Sequence, residues 1–239
     1  LLMRNLKAVY FKEIKSYFNS PMAYIFLVIF SVINGYFFTR TFFLFNQSDM
    51  RSLFNIIPLI YLFFIPAVTM NLIAREKNLG TMEVISTLPL KDIDFVVGKF
   101  LAAFSLVATG LLVTLIHFFT LTQVGTNVDY GAVFTGYLGL ALAGAVYSSV
   151  GTFASSITDN PVVAFIIGIF IVLVFFLMDK MLMFVPIYLT GIIQYLSVDY
   201  HLSNISRGVI DSRNLVYFAS VIGFFLFTTV QILEIRKWK

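Results

Sequence analysis

The sequence predicts an all-α membrane protein with six transmembrane helices. Of its 239 residues, 59% are hydrophobic and only 12% are charged. Soluble domains carry about 25% charged residues, and a water-exposed surface cannot be built from so few. Uncharged runs long enough to cross a bilayer, about 20 residues each at about 1.5 Å rise, recur along the chain. Lysine and arginine also divide unevenly between the two sides that six spans would create.

The first element is Met3 to Phe18, within an N-terminal segment covering residues 1–20. Leu6, Tyr10, Ile14 and Tyr17 recur at helical spacing, with Arg4, Lys7, Lys12 and Lys15 largely on the opposite face. That pattern predicts a basic amphipathic helix lying along a membrane surface. No small-residue cleavage site follows the first apolar run, so a cleavable signal peptide is not expected. Ser20 is placed to cap the next helix, and Pro21 suits its first position.

The expected spans are Pro21 to Thr39, Ser52 to Ala74, Phe100 to about Thr122, about Gly131 to Ser155, Pro161 to Met178, and Asn214 to Leu233. Gly136, Gly139 and Gly144 fit close helix packing. Met181 to Val198 is apolar but contains Pro186 and Gly191, and it is flanked by Asp179, Lys180, Asp199 and His201. It predicts a re-entrant or interfacial segment within 179–213; a seventh span is the alternative. Six spans put Arg4, Lys7, Lys12, Lys15, Arg75, Lys77, Lys91, Lys99, Arg236, Lys237 and Lys239 on one side. Arg40, Arg51, Lys180, Arg207 and Arg213 fall on the other. The positive-inside rule then makes both termini cytoplasmic, and a seventh span would spoil the bias. The whole chain, 1–239, reads as one membrane unit without repeats or linkers.

Several chemistries are excluded by their missing motifs. There is no P-loop: Ile93 stands where the first glycine before Gly98-Lys99 would have to be. No His-Glu-x-x-His motif occurs, His117 and His201 are far apart in the topology, and cysteine is absent, so no metal site is expected. No Gly-x-Ser-x-Gly elbow or basic nucleic-acid-binding domain is present. Every Asp, Glu, Lys and Arg lies outside the expected spans, where ion-coupled carriers keep functional charge. His117 is then a packing histidine or a proton relay, and any transport draws its energy from a partner.

The cytoplasmic connection, residues 75–99, reads as a handle. Gly80 permits a turn, Thr81 is placed to cap a short helix, Glu83 sits in its first turn and Pro89 ends it. With Arg75, Glu76 and Lys77 ahead of it and Val84, Ile85 and Leu88 on it, this helix suits docking into a protein groove, or it is a solvated loop.

These residues resemble a known family. Arg75-Glu76-Lys77-x-x-Gly80-Thr81-x-Glu83-x-x-x-x-Leu88-Pro89, followed by Gly98-Lys99-Phe100, resembles the cytoplasmic loop of ABC-2 type permeases. Phe11-Lys12-Glu13-x-Lys15-Ser16-Tyr17-Phe18-x-Ser20-Pro21 resembles their elbow helix. Ser155-Ser156-Ile157-Thr158-Asp159-Asn160 resembles their fourth-to-fifth connection. Leu196-Ser197-x-x-Tyr200-His201 and Arg207-Gly208-Val209-Ile210-Asp211-x-Arg213 resemble their outer segment, with Val198-Asp199 departing from its usual proline and aromatic. The nearest branch is the gliding-motility-type, GldF-like permeases.

The resemblance implies a bacterial inner-membrane permease subunit that binds no cofactor itself and works with an ATP-binding subunit holding ATP and magnesium. A second permease copy or paralogue would complete it. Arg75, Glu76, Lys77, Gly80, Thr81, Glu83 and Leu88 would couple to the ATPase, with Lys12, Glu13 and Lys15 of the elbow nearby and Lys12 or Glu13 available to pair with the cluster. Tyr200, His201, Arg207, Asp211 and Arg213 would form an outer gate, or simply cap helix ends. Asn34, Tyr36, Asn55 and Asn71 are candidates for a central path, or bond across helices. The Phe- and Tyr-rich spans are compatible with a lipid-like cargo. A membrane scaffold for a motility or assembly complex, moving no solute, is the alternative function.

Overall fold

A computed structural model describes residues 2–44, 49–87, 89–125 and 128–236, all-helical where regular. Six helices are long and apolar enough to cross a membrane. Helix α1 (Leu2–Asn19) precedes the first of them. Its apolar face is set against α6 (Asp92–Val124), as the spacing of Leu6, Tyr10 and Ile14 requires. A side chain at Gly98 would lie 2.9 Å from Val9 Cγ1, so glycine there allows α1 to lie close. Tyr10 Oη bonds Ser105 Oγ at 3.0 Å, and Asn5 donates to the Pro89 carbonyl at 3.1 Å.

Helix α2 (Pro21–Thr39) buries Ala23, Phe26, Phe30, Asn34 and Phe38, one stripe at three- and four-residue steps. It runs into a π-helical turn, Arg40–Leu44. Ser20 stands at the N-cap position but does not cap: its hydroxyl donates to the Tyr17 carbonyl at 3.0 Å instead.

The second span lies within the apolar stretch Arg51–Asn78, of which α3 (Arg51–Thr69) is the regular helix. The helix stops at Thr69, and Met70–Ile73 form a break before α4 (Ala74–Asn78). Pro66, without an N–H, already weakens the last turns. One hydroxyl completes the break. Ser155 Oγ accepts the N–H groups of Ile73 and Ala74 at 2.9 and 3.0 Å, and donates to the Met70 carbonyl at 2.8 Å. The handle is α4 plus α5 (Thr81–Ser86).

Helix α6 is also longer than expected, 33 residues, or about 50 Å. The helix begins at Asp92 rather than Phe100, which carries Lys99 into the packed bundle. Helix α7 (Tyr130–Ile157) is the central helix. It is capped by Asp129, whose carboxylate accepts from Ala132 N–H at 3.1 Å. Four of its glycines each admit a different neighbour: Phe54 of α3 at Gly136, Leu202 at Gly139, Val107 of α6 at Gly144, and Thr69 at Gly151.

Helix α8 (Pro161–Lys180) starts with Asn160 capping and Pro161 in the first turn. The chain then makes a short 3-10 turn, Leu182–Phe184, followed by α9 (Ile187–Leu196) and α10 (Val198–Ile205). Ten and eight residues reach about 15 and 12 Å, too short to cross. Leu202 of α10 meets α7 at Gly139, nine residues and about 14 Å in from Tyr130. Helix α10 therefore packs into the bundle while α9 buries none of its residues, and α11 (Ser212–Arg236) is the sixth span. Helix α1 and the end of α11 lie on one face, with α4 and α5; α10 lies toward the other.

Candidate functional site

On the face carrying the termini, four charges converge from three elements. Lys99 of α6 is 1% exposed. Its ammonium lies 2.7 Å from Glu13 Oε1 of α1 and 3.0 Å from Glu76 Oε2 of α4. Lys12 of α1 meets Glu76 Oε1 at 2.8 Å and lies 3.9 Å from Glu13 Oε1. The Lys99 ammonium also sits 4.8 Å from the centre of the Phe95 ring. Two cations and two carboxylates balance, which is how a nearly dry lysine is kept at acceptable cost. Burial pulls the Lys12 pKa down, but the hydrogen bond it donates to Glu76 and the charges of Glu76 and Glu13 outweigh it and hold it above its ordinary value. Beside this knot Tyr17 is buried and donates to the Val68 carbonyl at 3.0 Å; burial, then the Glu13 charge, pushes its pKa well up.

The expected pairing of the elbow with the Arg75–Lys77 cluster is present, and Glu76 makes it. Lys99 was absent from the candidates because its neighbours in sequence read as the start of a span. Its partners lie 86 and 23 positions away, which no local pattern reveals. Lys77 donates instead to the Ser156 carbonyl at the end of α7. Arg75 is exposed at the mouth of a groove of about 480 Å³ between α1 and the handle, lined also by Ser16, Asn71, Leu79 and Val84. Lys15 is exposed and stands apart from the knot.

Gly80 has φ 69°, a left-handed turn that positions the handle helix. Thr81 does not cap α5, because Gly80 holds the N-cap position; the Thr81 hydroxyl donates to the Glu76 carbonyl at 3.2 Å, tying α5 back to α4. On α5, Met82 is buried, Ile85 packs against the core, and Val84 and Glu83 face outward. Leu88 lies outside the described residues.

The four path candidates are not brought together. Asn34 is buried and donates to the Phe30 carbonyl of its own helix at 2.7 Å. Tyr36 and Asn55 are exposed on the outer surface of the bundle, and Asn71 lines the handle groove. His117 stacks on Phe38, ring centres 4.7 Å apart.

The outer candidates do converge. Tyr200, His201, Arg207, Asp211 and Arg213 line one pocket of about 400 Å³. His201 is buried, stacked 3.9 Å from Tyr217, with its nitrogens 2.7 Å from Asn214 Oδ1 and 2.8 Å from the Tyr195 carbonyl. Tyr217 donates to the Leu196 carbonyl at 2.6 Å. Asp211 caps α11 by accepting the Arg213 N–H at 2.8 Å. Among the described residues Arg207 and Asp211 form no ion pair; the charge pair on this side is Lys180 with Asp199 at 2.5 Å.

Six helices long and apolar enough to span a membrane, with an amphipathic helix before them and two short helices between the second and third, define a polytopic membrane protein among the described residues. The chain belongs to the ABC-2 family of transporter proteins, whose family profile matches residues 3–206. That match runs from the elbow through the handle to the end of α10. A comparison with curated proteins finds no match.

Proposed function

We propose that this chain is the permease subunit of an ATP-driven transporter, and that α4 and α5 receive the stroke of a separate ATP-binding subunit. The observation that carries this is the Lys99–Glu76–Glu13 knot. A handle that only closed a loop would not need a buried ammonium to bind it. Here Glu76 joins the handle to α6 through Lys99 and to α1 through Lys12. Lys77 and Ser155 join its base to α7. A push on α5 is therefore delivered to three elements at once, α7 being the central one. The outward-facing Val84 and Glu83 offer the subunit a small apolar contact with a charge beside it.

The interior of one copy is filled by Phe30, Tyr61, Leu106 and Tyr147, all buried. That packing favours a path formed between this chain and a second permease copy or paralogue. The lysine and arginine excess on the face of the termini supports their cytoplasmic placement in a bacterial inner membrane. The four resembling segments favour a gliding-motility-type system within the family.

The test is co-purification with neighbouring gene products, followed by an ATPase assay. Wild type is expected to retain a nucleotide-binding subunit and stimulate its turnover. Replacement of residues 81–86 by Gly-Ser, or Glu83→Arg, is expected to lose both. Intact binding and stimulation in Glu83→Arg would remove the handle from the mechanism.

A further inference from the structure

We propose that the outer pocket walled by Arg207 and Arg213 binds an anionic phosphate group, the headgroup of an amphiphile held at the membrane boundary. The proposal does not depend on an ATPase docking at the opposite face.

The turn after α10 builds the pocket. Gly208 has φ 95°, which lets the chain reverse directly after Arg207. The reversal brings Arg207, in the turn after α10, and Arg213, in the first turn of α11, to one cavity of about 400 Å³. Its floor is rigid: buried His201 is clamped by Tyr217, Asn214 and the Tyr195 carbonyl.

The charge is not balanced internally. Among the described residues neither guanidinium has an ion-pair partner. One carboxylate, Asp211, lines the pocket, and it is engaged in capping α11. Elsewhere on this side Asp199 is paired with Lys180, and Asp129 is engaged in capping α7. Two guanidiniums facing one cavity suit the oxygens of a phosphate, which they can approach with paired N–H groups. Tyr200 and Asn204 supply further polar groups to the wall.

The surroundings indicate what the phosphate is attached to. Val209 and Ile210, on the turn itself, are 65% and 49% exposed. Ile187 and Tyr188 of neighbouring α9 are 92% and 77% exposed. Apolar side chains displayed beside a cationic pocket at the end of a membrane bundle fit acyl chains below and a headgroup above.

The experiment is native mass spectrometry of the purified full chain in detergent, with phosphatidylglycerol and phosphatidylcholine supplied at equal concentration. A parallel arm measures binding of inorganic phosphate by equilibrium dialysis. Wild type is expected to retain phosphatidylglycerol preferentially. Arg207→Gln and Arg213→Gln should each reduce that preference about tenfold, the loss of one charge-assisted interaction. Both side chains are exposed, so the variants should melt with the wild type. Arg207→Lys/Arg213→Lys, which keeps the charge, should retain part of the preference. Phosphate binding lost in the same variants, without lipid preference, would support the site and assign it a free anion. Equal retention of the two lipids together with no phosphate binding would overturn the proposal. So would a preference that survives Arg207→Gln/Arg213→Gln.

Discussion

Lys99 is the residue on which the termini face depends. A lysine 1% exposed between two carboxylates is stable only while both remain ionised beside it. Removing it leaves Glu13 and Glu76, both largely buried, with the exposed Lys12 as their remaining counter-charge. Lys99→Met is expected to destabilise the chain by about 3–5 kcal/mol, the cost of breaking a buried pair by taking one partner. Thermal unfolding in detergent measures this. Adding Glu13→Gln to Lys99→Met should recover part of the loss, because it removes one of the stranded charges. Equal stability of Lys99→Met and wild type would mean that the knot is solvated and not structural. Lys12 behaves differently: its side chain is 61% exposed, so solvent screens its pair with Glu76 and its removal should cost far less.

At the scale of elements, the break between α3 and α4 is the feature that turns a long helix into a span plus a handle. Three backbone groups freed by the break converge on Ser155 Oγ. Ser155→Ala leaves them buried without that partner, at about 1–3 kcal/mol for each group that finds no replacement. The expected readout is a lowered melting temperature together with weakened retention of the ATP-binding subunit, since α4 loses its seat on α7. A melting temperature unchanged by Ser155→Ala would show that the break is held elsewhere. The same junction explains Gly151: any side chain there would overlap Thr69, the last residue of α3. These contacts bring the Ser155-Ser156 segment and the Arg75-Glu76-Lys77 cluster, noted separately in the sequence, into one joint.

For the whole molecule, the topology carries the sharpest prediction. The chain has no cysteine, so single cysteines can be placed at will. With α9 and α10 each too short to cross, Met183→Cys and Ser212→Cys should be labelled by an impermeant thiol reagent from the same side of the membrane. Labelling from opposite sides would require a crossing between them and would restore a seventh span. Helix lengths argue against that: α9 and α10 together still bend at Ser197, whose hydroxyl accepts from Tyr200 N–H to start α10. Family membership makes the fold a transport-type scaffold, and the charge knot and outer pocket lie at its two opposite ends.

The sequence by itself determined the six spans, the amphipathic α1, the non-spanning helices between the fifth and sixth spans, and the short helix after Gly80. Each of these is written in local periodicity, charge or Pro and Gly placement, and lipid enforces that code strictly because unpaired backbone is so costly there. It also brought Glu13, Lys12 and Glu76 under suspicion as partners. Only the tertiary structure decided that Lys99 completes their knot, that α3 ends at Thr69, and that Thr81 ties back to Glu76 rather than capping. It alone joined Arg207 and Arg213 in a single pocket while scattering Asn34, Tyr36, Asn55 and Asn71. The physical reason is range: hydropathy acts over one helix turn to one bilayer thickness. An ion pair or a borrowed hydroxyl instead joins residues whose separation along the chain has no bearing on their meeting in space.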